Sequence, residues 1–217
     1  MRNKTFISSM VGVAAAVAVA GSANAGVVDP FTTAQALSTS PGVLPISGAL
    51  FDERGGILIG GSASGSIDGS GNFNFTVTSG SYNTVILEYQ MNGGATNDLS
   101  SIAAMSIALS GLNTSGAATG IAFVFSLADE NDNYLYSNEA LLANGVSTFN
   151  FASAFVDDGF DLTKVKLMTL SIGYVGTPGA GSSSGTLSNF SYTAVPAPGA
   201  LALLGAAGLI GARRRRD

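Results

Sequence analysis

The chain contains no cysteine, no histidine and no tryptophan. Without cysteine there is no disulfide framework, no thiolate metal site and no sulfur nucleophile. Without histidine there is no Ser-His-Asp triad, no His-containing zinc site and no side chain whose ordinary pKa lies near neutrality. Most enzyme classes are disfavoured by these absences alone. Charge is also scarce, at 11% of 217 residues, and it is unevenly laid out. Arg2 and Lys4 open the chain and Arg213, Arg214, Arg215 and Arg216 close it, so that between Gly26 and Ala212 only Arg54, Lys164 and Lys166 are basic. Thirteen carboxylates face those three cations, a formal balance of −10. Such a segment repels phosphate and offers no basic stripe for counterion release, which argues against a nucleic-acid partner. A cation or a neutral sugar surface is compatible with it.

Apolar and small residues are abundant. Hydrophobic types make up 46% of the chain and there are 29 glycines, too apolar for disorder and too glycine-rich for a helical bundle. The length suits one domain plus processing segments. Residues 1–25 read as a secretory signal peptide, with basic Arg2 and Lys4, an apolar stretch over 6–20 and the small residues Ala23 and Ala25, which place the cut between Ala25 and Gly26. At the other end, Val195-Pro196-Ala197-Pro198 precedes an apolar run over 199–212, followed at once by the four arginines. Fourteen helical residues reach about 21 Å against a hydrocarbon core of roughly 30 Å, so this helix spans a bilayer only by thinning it or by using its flanks. The arginines hold that end at the cytoplasmic face and leave the domain outside.

This tail resembles the PEP-CTERM protein-sorting signal of Gram-negative bacteria that make extracellular polysaccharide. Val195, Pro196 and Pro198, the helix start Leu201-Ala202-Leu203-Leu204-Gly205 and Arg213 to Arg216 match that pattern, while Ala197 stands where the family usually has glutamate. The resemblance covers residues 195–217. It implies a membrane protease of the exosortase type as partner, a transient membrane stage and delivery to the cell envelope or its extracellular polysaccharide. With Ala197 in place of glutamate two outcomes stay open: removal of the tail, or its persistence as an anchor. The segments Asp29-Pro30-Phe31-Thr32-Thr33-Ala34-Gln35 and Phe51-Asp52-Glu53-Arg54-Gly55-Gly56 also look similar to openings found in PEP-CTERM proteins expected to fold as β-sandwiches.

Residues 26–194 show the period-two alternation of strands. It runs through Phe73, Phe75 and Val77; Val85, Leu87 and Tyr89; Ile121, Phe123, Phe125 and Leu127; and Leu170, Ile172 and Tyr174. Gly, Ser and Asn clusters such as residues 68–72 and 91–94 supply turns. The fold expected is all-β, a β-sandwich or jelly roll, with the signal peptide before it and the single hydrophobic helix after it. Residues 97–109 suit a helix in their first half and a strand in their second. Residues 57–61 read as a short strand, residues 62–71 as a polar turn region and residues 177–185 as a flexible connector between the last two strands.

Candidate chemistry is sparse. Asp129, Asn131 and Asn133 place oxygens at alternate positions as a calcium loop does, but Tyr134 and Ala140 occupy the positions of an EF-hand's glycine and glutamate. The sequence favours a hairpin turn there with no tight metal site, and a solvated loop for Asp157, Asp158 and Asp161. Tyr82, Tyr134 and Tyr136 suit either sugar stacking or, at strand spacing, core and cross-strand pairs. Gly55-Gly56 and Gly60-Gly61 lack a phosphate-binding context, and no cofactor is implied. The resulting expectation is an exported, non-enzymatic structural or surface protein; the alternative is a secreted carbohydrate-binding module, with or without calcium dependence, or a carbohydrate-active one. Mass spectrometry of the exported chain is expected to find Gly26 at the N-terminus, and retention of Met1 would contradict the signal-peptide reading.

Overall fold

The computed structural model describes residues 25–40, 42–79 and 83–195. The expected signal peptide up to Asn24 and the tail from Pro196 onward lie outside the described residues. Twelve strands form one sheet: β1 (Ala25–Asp29), β2 (Gln35–Ala36), β3 (Gly42–Pro45), β4 (Glu53–Ile59), β5 (Ser64–Ile67), β6 (Phe73–Thr78), β7 (Thr84–Gln90), β8 (Ile102–Asp129), β9 (Tyr134–Leu141), β10 (Gly145–Asn150), β11 (Phe155–Val156) and β12 (Val165–Ala194). The only helices among the described residues are three single 3-10 turns. The all-β expectation therefore stands, and every alternating run named above falls inside a strand.

Two long strands, β8 and β12, make this sheet a sandwich. They pair with each other antiparallel from Val165–Asp129 to Ala194–Ile102. One half of the pair is extended by β7, β4 and β3 on one side and by β9 and β11 on the other. The other half is extended by β6, β5 and β2, with β1 on the same edge, and by β10. The two halves face each other. Phe149 lies on β10 opposite Met105, yet its ring stacks on Phe125, twenty residues further along β8, with centroids 4.8 Å apart. A straight strand would put Met105 and Phe125 about 66 Å apart, so β8 must fold over between them. Tyr89, opposite Met168, meets Phe190 on the far half of β12 in the same way, at 5.9 Å.

The corner lies where register slips around Gly176 and Gly181. Gly116 there has φ +62°, a left-handed conformation that side chains disfavour, and a Cβ on Gly176 would sit 2.2 Å from the Ala117 carbonyl oxygen. The glycine and serine content that suggested a connector over residues 177–185 instead serves this bend. Ser182, Ser183 and Ser184 pair with both β6 and β8, so the segment is the middle of β12. Likewise Ser64–Ile67, expected as turn, is β5, paired to β6. Short polar strands carry no alternation to betray them.

Alternation sends one row of each strand inward. Across the first layer Arg54, Tyr89, Met168, Leu127 and Leu135 lie directly opposite one another, all buried. Arg54 is the exception in chemistry, and each of its three nitrogens has a partner. Its Nη1 donates to Asp29 Oδ2 at 2.6 Å, Nε to Gln35 Oε1 at 2.9 Å and Nη2 to the Thr33 carbonyl at 2.6 Å, with both charged side chains wholly buried. Asp29 Oδ1 accepts the Phe31 backbone N–H at 2.7 Å, which holds Phe31 at φ +52°, unusual for a bulky residue. Gln35 passes the network on to the Gly42 carbonyl. The two segments noted from the sequence as similar to PEP-CTERM openings are thus joined through one guanidinium. Beside it, burial, reinforced by the negative charge of Asp29, pushes the Tyr89 phenol well above its ordinary pKa, so that it keeps its proton.

Removing one partner leaves a buried charge unpaired. Arg54→Met is expected to cost about 3–5 kcal/mol by urea unfolding, and adding Asp29→Asn should recover part of that loss. A loss under about 1 kcal/mol for the single variant would contradict the role assigned to this pair.

Candidate functional site

The opposite row of the same strands faces outward. Phe155, Tyr136, Ser126, Thr169, Glu88, Gly55 and Val43 lie directly opposite one another in that order, across β11, β9, β8, β12, β7, β4 and β3. At about 4.8 Å per strand this row is about 29 Å long. At one end Tyr136 and Phe155 stack with ring centroids 5.4 Å apart and planes 18° from parallel, although Tyr136 is 41% and Phe155 64% exposed. Tyr134 lies two residues away on the same face of β9 and is also exposed. In the middle the Ser126 and Thr169 hydroxyls hydrogen-bond to each other at 2.6 Å. On a neighbouring row, Gln90 donates to Glu53 at 2.8 Å.

A hydrogen-bond hub positions the aromatic end. Asp129, at the end of β8, is buried, and its Oδ1 accepts the backbone N–H groups of Asn131 and Asn133 at 2.8 and 3.0 Å. Its Oδ2 accepts the Asn133 side-chain amide and the Asp161 backbone N–H, both at 3.1 Å. Burial alone would raise its pKa, but these hydrogen bonds outweigh that and hold the carboxyl below the usual range. Asp157 Oδ2 accepts the Tyr134 N–H at 2.9 Å, and the Asp157 N–H donates to the Tyr134 carbonyl at 2.8 Å. The loop that follows β11 is thereby fastened to the β8–β9 turn, which sets Phe155 against Tyr136.

The two acidic groups noted in the sequence are therefore brought together, and Asp129, Asp157 and Asp161 already accept N–H donors. Asp129, Asn131 and Asn133 form the expected hairpin turn. Asp68 and Asn72 repeat the same turn between β5 and β6: Asp68 Oδ1 accepts the Ser70 and Asn72 N–H groups at 2.7 and 3.3 Å. In each loop the aspartate N–H also donates to the asparagine carbonyl four residues on, at 3.1 and 3.0 Å.

The other positions singled out from the sequence lie elsewhere. Ala25 and Gly26 sit in β1 opposite Thr193 and Tyr192, and Val195 follows β12, its N–H donating to the Ser101 carbonyl at 2.7 Å. Ala23, Pro196, Ala197, Pro198, Arg213, Arg214, Arg215, Arg216 and Tyr82 lie outside the described residues. Phe155 escaped the sequence reading, because a two-residue strand has no periodicity to detect. A cleft of about 430 Å³ at the β1–β12 edge is lined by Val27, Asp29, Pro30, Gly71, Asn189, Phe190 and Ser191. Its one charged group, Asp29, already serves Arg54 and Phe31.

No family model matches the chain, and no curated protein matches it in sequence. Among solved structures it is similar to the family 11 carbohydrate-binding module from Clostridium thermocellum in complex with a β-1,3-1,4-mixed-linked tetrasaccharide, at 12% identity over 81% of this chain and 98% of that one, with a TM-score of 0.41. A family 30 carbohydrate-binding module shares 13% identity over 77% and 91%, with a TM-score of 0.40. The agarase AgWH50C shares 12% identity over 63% of this chain, which spans 24% of the agarase, with a TM-score of 0.43. Likenesses this distant decide nothing about function, which has to be argued from the residues of this chain.

The paired turns make a pH prediction. Hydrogen bonds from Ser70 and Asn72 hold the Asp68 carboxyl at about 2, against an ordinary 3.8. A carboxyl lowered in the folded state adds stability above its unfolded value and loses it as pH falls through the folded one. The Asp68 carboxyl carbon should therefore titrate by NMR with a midpoint at about 2. A midpoint at the ordinary 3.8 would mean that the turn's hydrogen bonds do not form in solution.

Proposed function

We propose that the chain is an exported, non-enzymatic β-sandwich that binds polysaccharide on the outward row of β9 and β11, and that the segment 195–217 sorts it to the cell envelope. One observation carries the binding reading: Tyr136 and Phe155 stack on each other in solvent, with Tyr134 beside them on the same face. Aromatic rings left in water forgo the free energy of burial, and the edge of this sheet holds them there, pinned by the Asp129 and Asp157 hydrogen bonds. The flat C–H face of a pyranose ring covers such a platform, while Ser126, Thr169 and Glu88 further along the row offer hydroxyl and carboxylate partners for sugar hydroxyls.

Support for a non-enzymatic role comes from composition: without cysteine or histidine the chain lacks the thiol nucleophile and the imidazole base on which many enzymes rely. The sorting reading rests on the tail's sequence pattern, and the end of β12 at Ala194 delivers the chain directly into Val195.

Affinity electrophoresis through gels containing polysaccharide tests the proposal. Tyr136→Ala and Phe155→Ala should each weaken retardation by about tenfold, the equivalent of about 1.4 kcal/mol of stacking and burial. Val146→Ala, an exposed position on β10 in the other layer, should leave it unchanged. Equal retardation of Tyr136→Ala and the unaltered protein would contradict the assignment.

A further inference from the structure

Between Gly26 and Ala194 the chain has three cations, and each of them is already paired with a carboxylate. Arg54 is buried against Asp29; Lys164 pairs with Glu130; Lys166 pairs with Asp132 at 2.6 Å. The outward row itself carries no positive charge. It passes from the Tyr136–Phe155 stack over the Ser126 and Thr169 hydroxyls to half-buried Glu88, with Glu53 on the neighbouring row. Anionic polymers bear uronate carboxylates or sulfates, and recognising them takes Arg or Lys. A strand of such a polymer lying along the row would set its charges against Glu88 with no cation within the row to offset them.

We propose that this face selects uncharged polysaccharides and rejects acidic ones, with Glu88 as the residue that sets the discrimination; the proposal rests on the polysaccharide-binding reading of the same face. A neutral chain meets the row through stacking at Tyr136 and Phe155 and through hydroxyl hydrogen bonds at Ser126, Thr169 and Glu88. None of these contacts opposes the surplus negative charge of the domain. An acidic chain of the same backbone makes the same contacts and adds like-charge repulsion. That repulsion is partly screened by salt, because the Debye length falls from about 10 Å at 0.1 M to about 3 Å at 1 M. The discrimination is therefore largest at low ionic strength.

The test uses the exported protein and two matched pairs of polymers, hydroxyethylcellulose with carboxymethylcellulose and agarose with its chemically sulfated derivative, in affinity electrophoresis at low and high salt with EDTA present. The neutral member of at least one pair should retard the protein at least about tenfold more strongly than its acidic partner, with the gap narrowing in high salt. Glu88→Gln should narrow the gap at low salt. Equal or stronger retardation by an acidic member overturns the selectivity; if Tyr136→Ala abolishes that retardation, the face survives as a glycan site and only the selectivity has failed. An acidic member that binds once calcium replaces EDTA overturns it too, because a bridging cation would then supply the missing charge. No retardation by any of the four overturns the selectivity and the binding reading together.

Discussion

The buried pair of Arg54 and Asp29 is the constraint from which the arrangement of charge in this protein follows. A guanidinium inside the sandwich is tolerable only with all of its partners in place, and Asp29, Gln35 and the Thr33 carbonyl meet that demand from three points of the N-terminal segment. One side chain on β4 thereby fixes β1, the turn that holds Phe31 and β2 against the edge of the sheet. It also removes from the surface the one arginine of the domain. With both lysines tied to Glu130 and Asp132 in exposed pairs, the outward face of the first layer displays aromatic rings, hydroxyls and carboxylates.

The fold-over of β8 and β12 then decides where that face lies. Because both strands serve both layers, inward residues on one half meet aromatic counterparts on the other, as with Phe125 over Phe149 and Tyr89 against Phe190. The core is closed by the two long strands, so the lateral strands β9 and β11 are free to carry rings that do not belong to it. The Asp129 hub makes their position definite. It converts an acidic cluster, which from its spacing alone resembled the start of a calcium loop, into the fastening of an aromatic edge.

Much of this was legible in the sequence wherever a local rule applied. Alternation marked β6, β7, the second half of β8 and the first half of β12, and the Asp68 and Asp129 turns followed from the backbone hydrogen bonds that aspartate and asparagine favour. What escaped notice was non-local or very short. Nothing between Asp29 and Arg54 announces that they meet, twenty-five residues apart, in the core. The serine and glycine composition of residues 177–185 looked like a linker because the residues that let a strand turn a corner are the ones that let a linker bend. Phe155 gained its significance only when a two-residue strand set it beside Tyr136. The sandwich follows from strand physics independent of the sorting role proposed for the two ends.

The central claim is that the outward row ending at Tyr136 and Phe155 binds an uncharged polysaccharide. The most direct measurement is an NMR titration of the isotopically labelled protein with a neutral oligosaccharide. The account predicts that shifts concentrate in the backbone amides of Tyr134, Tyr136, Asn138 and Val156 and extend along the row to Ser126, Thr169 and Glu88. Shifts confined to Asp29, Asn189 and Ser191 would move the site to the cleft at the β1–β12 edge and contradict it.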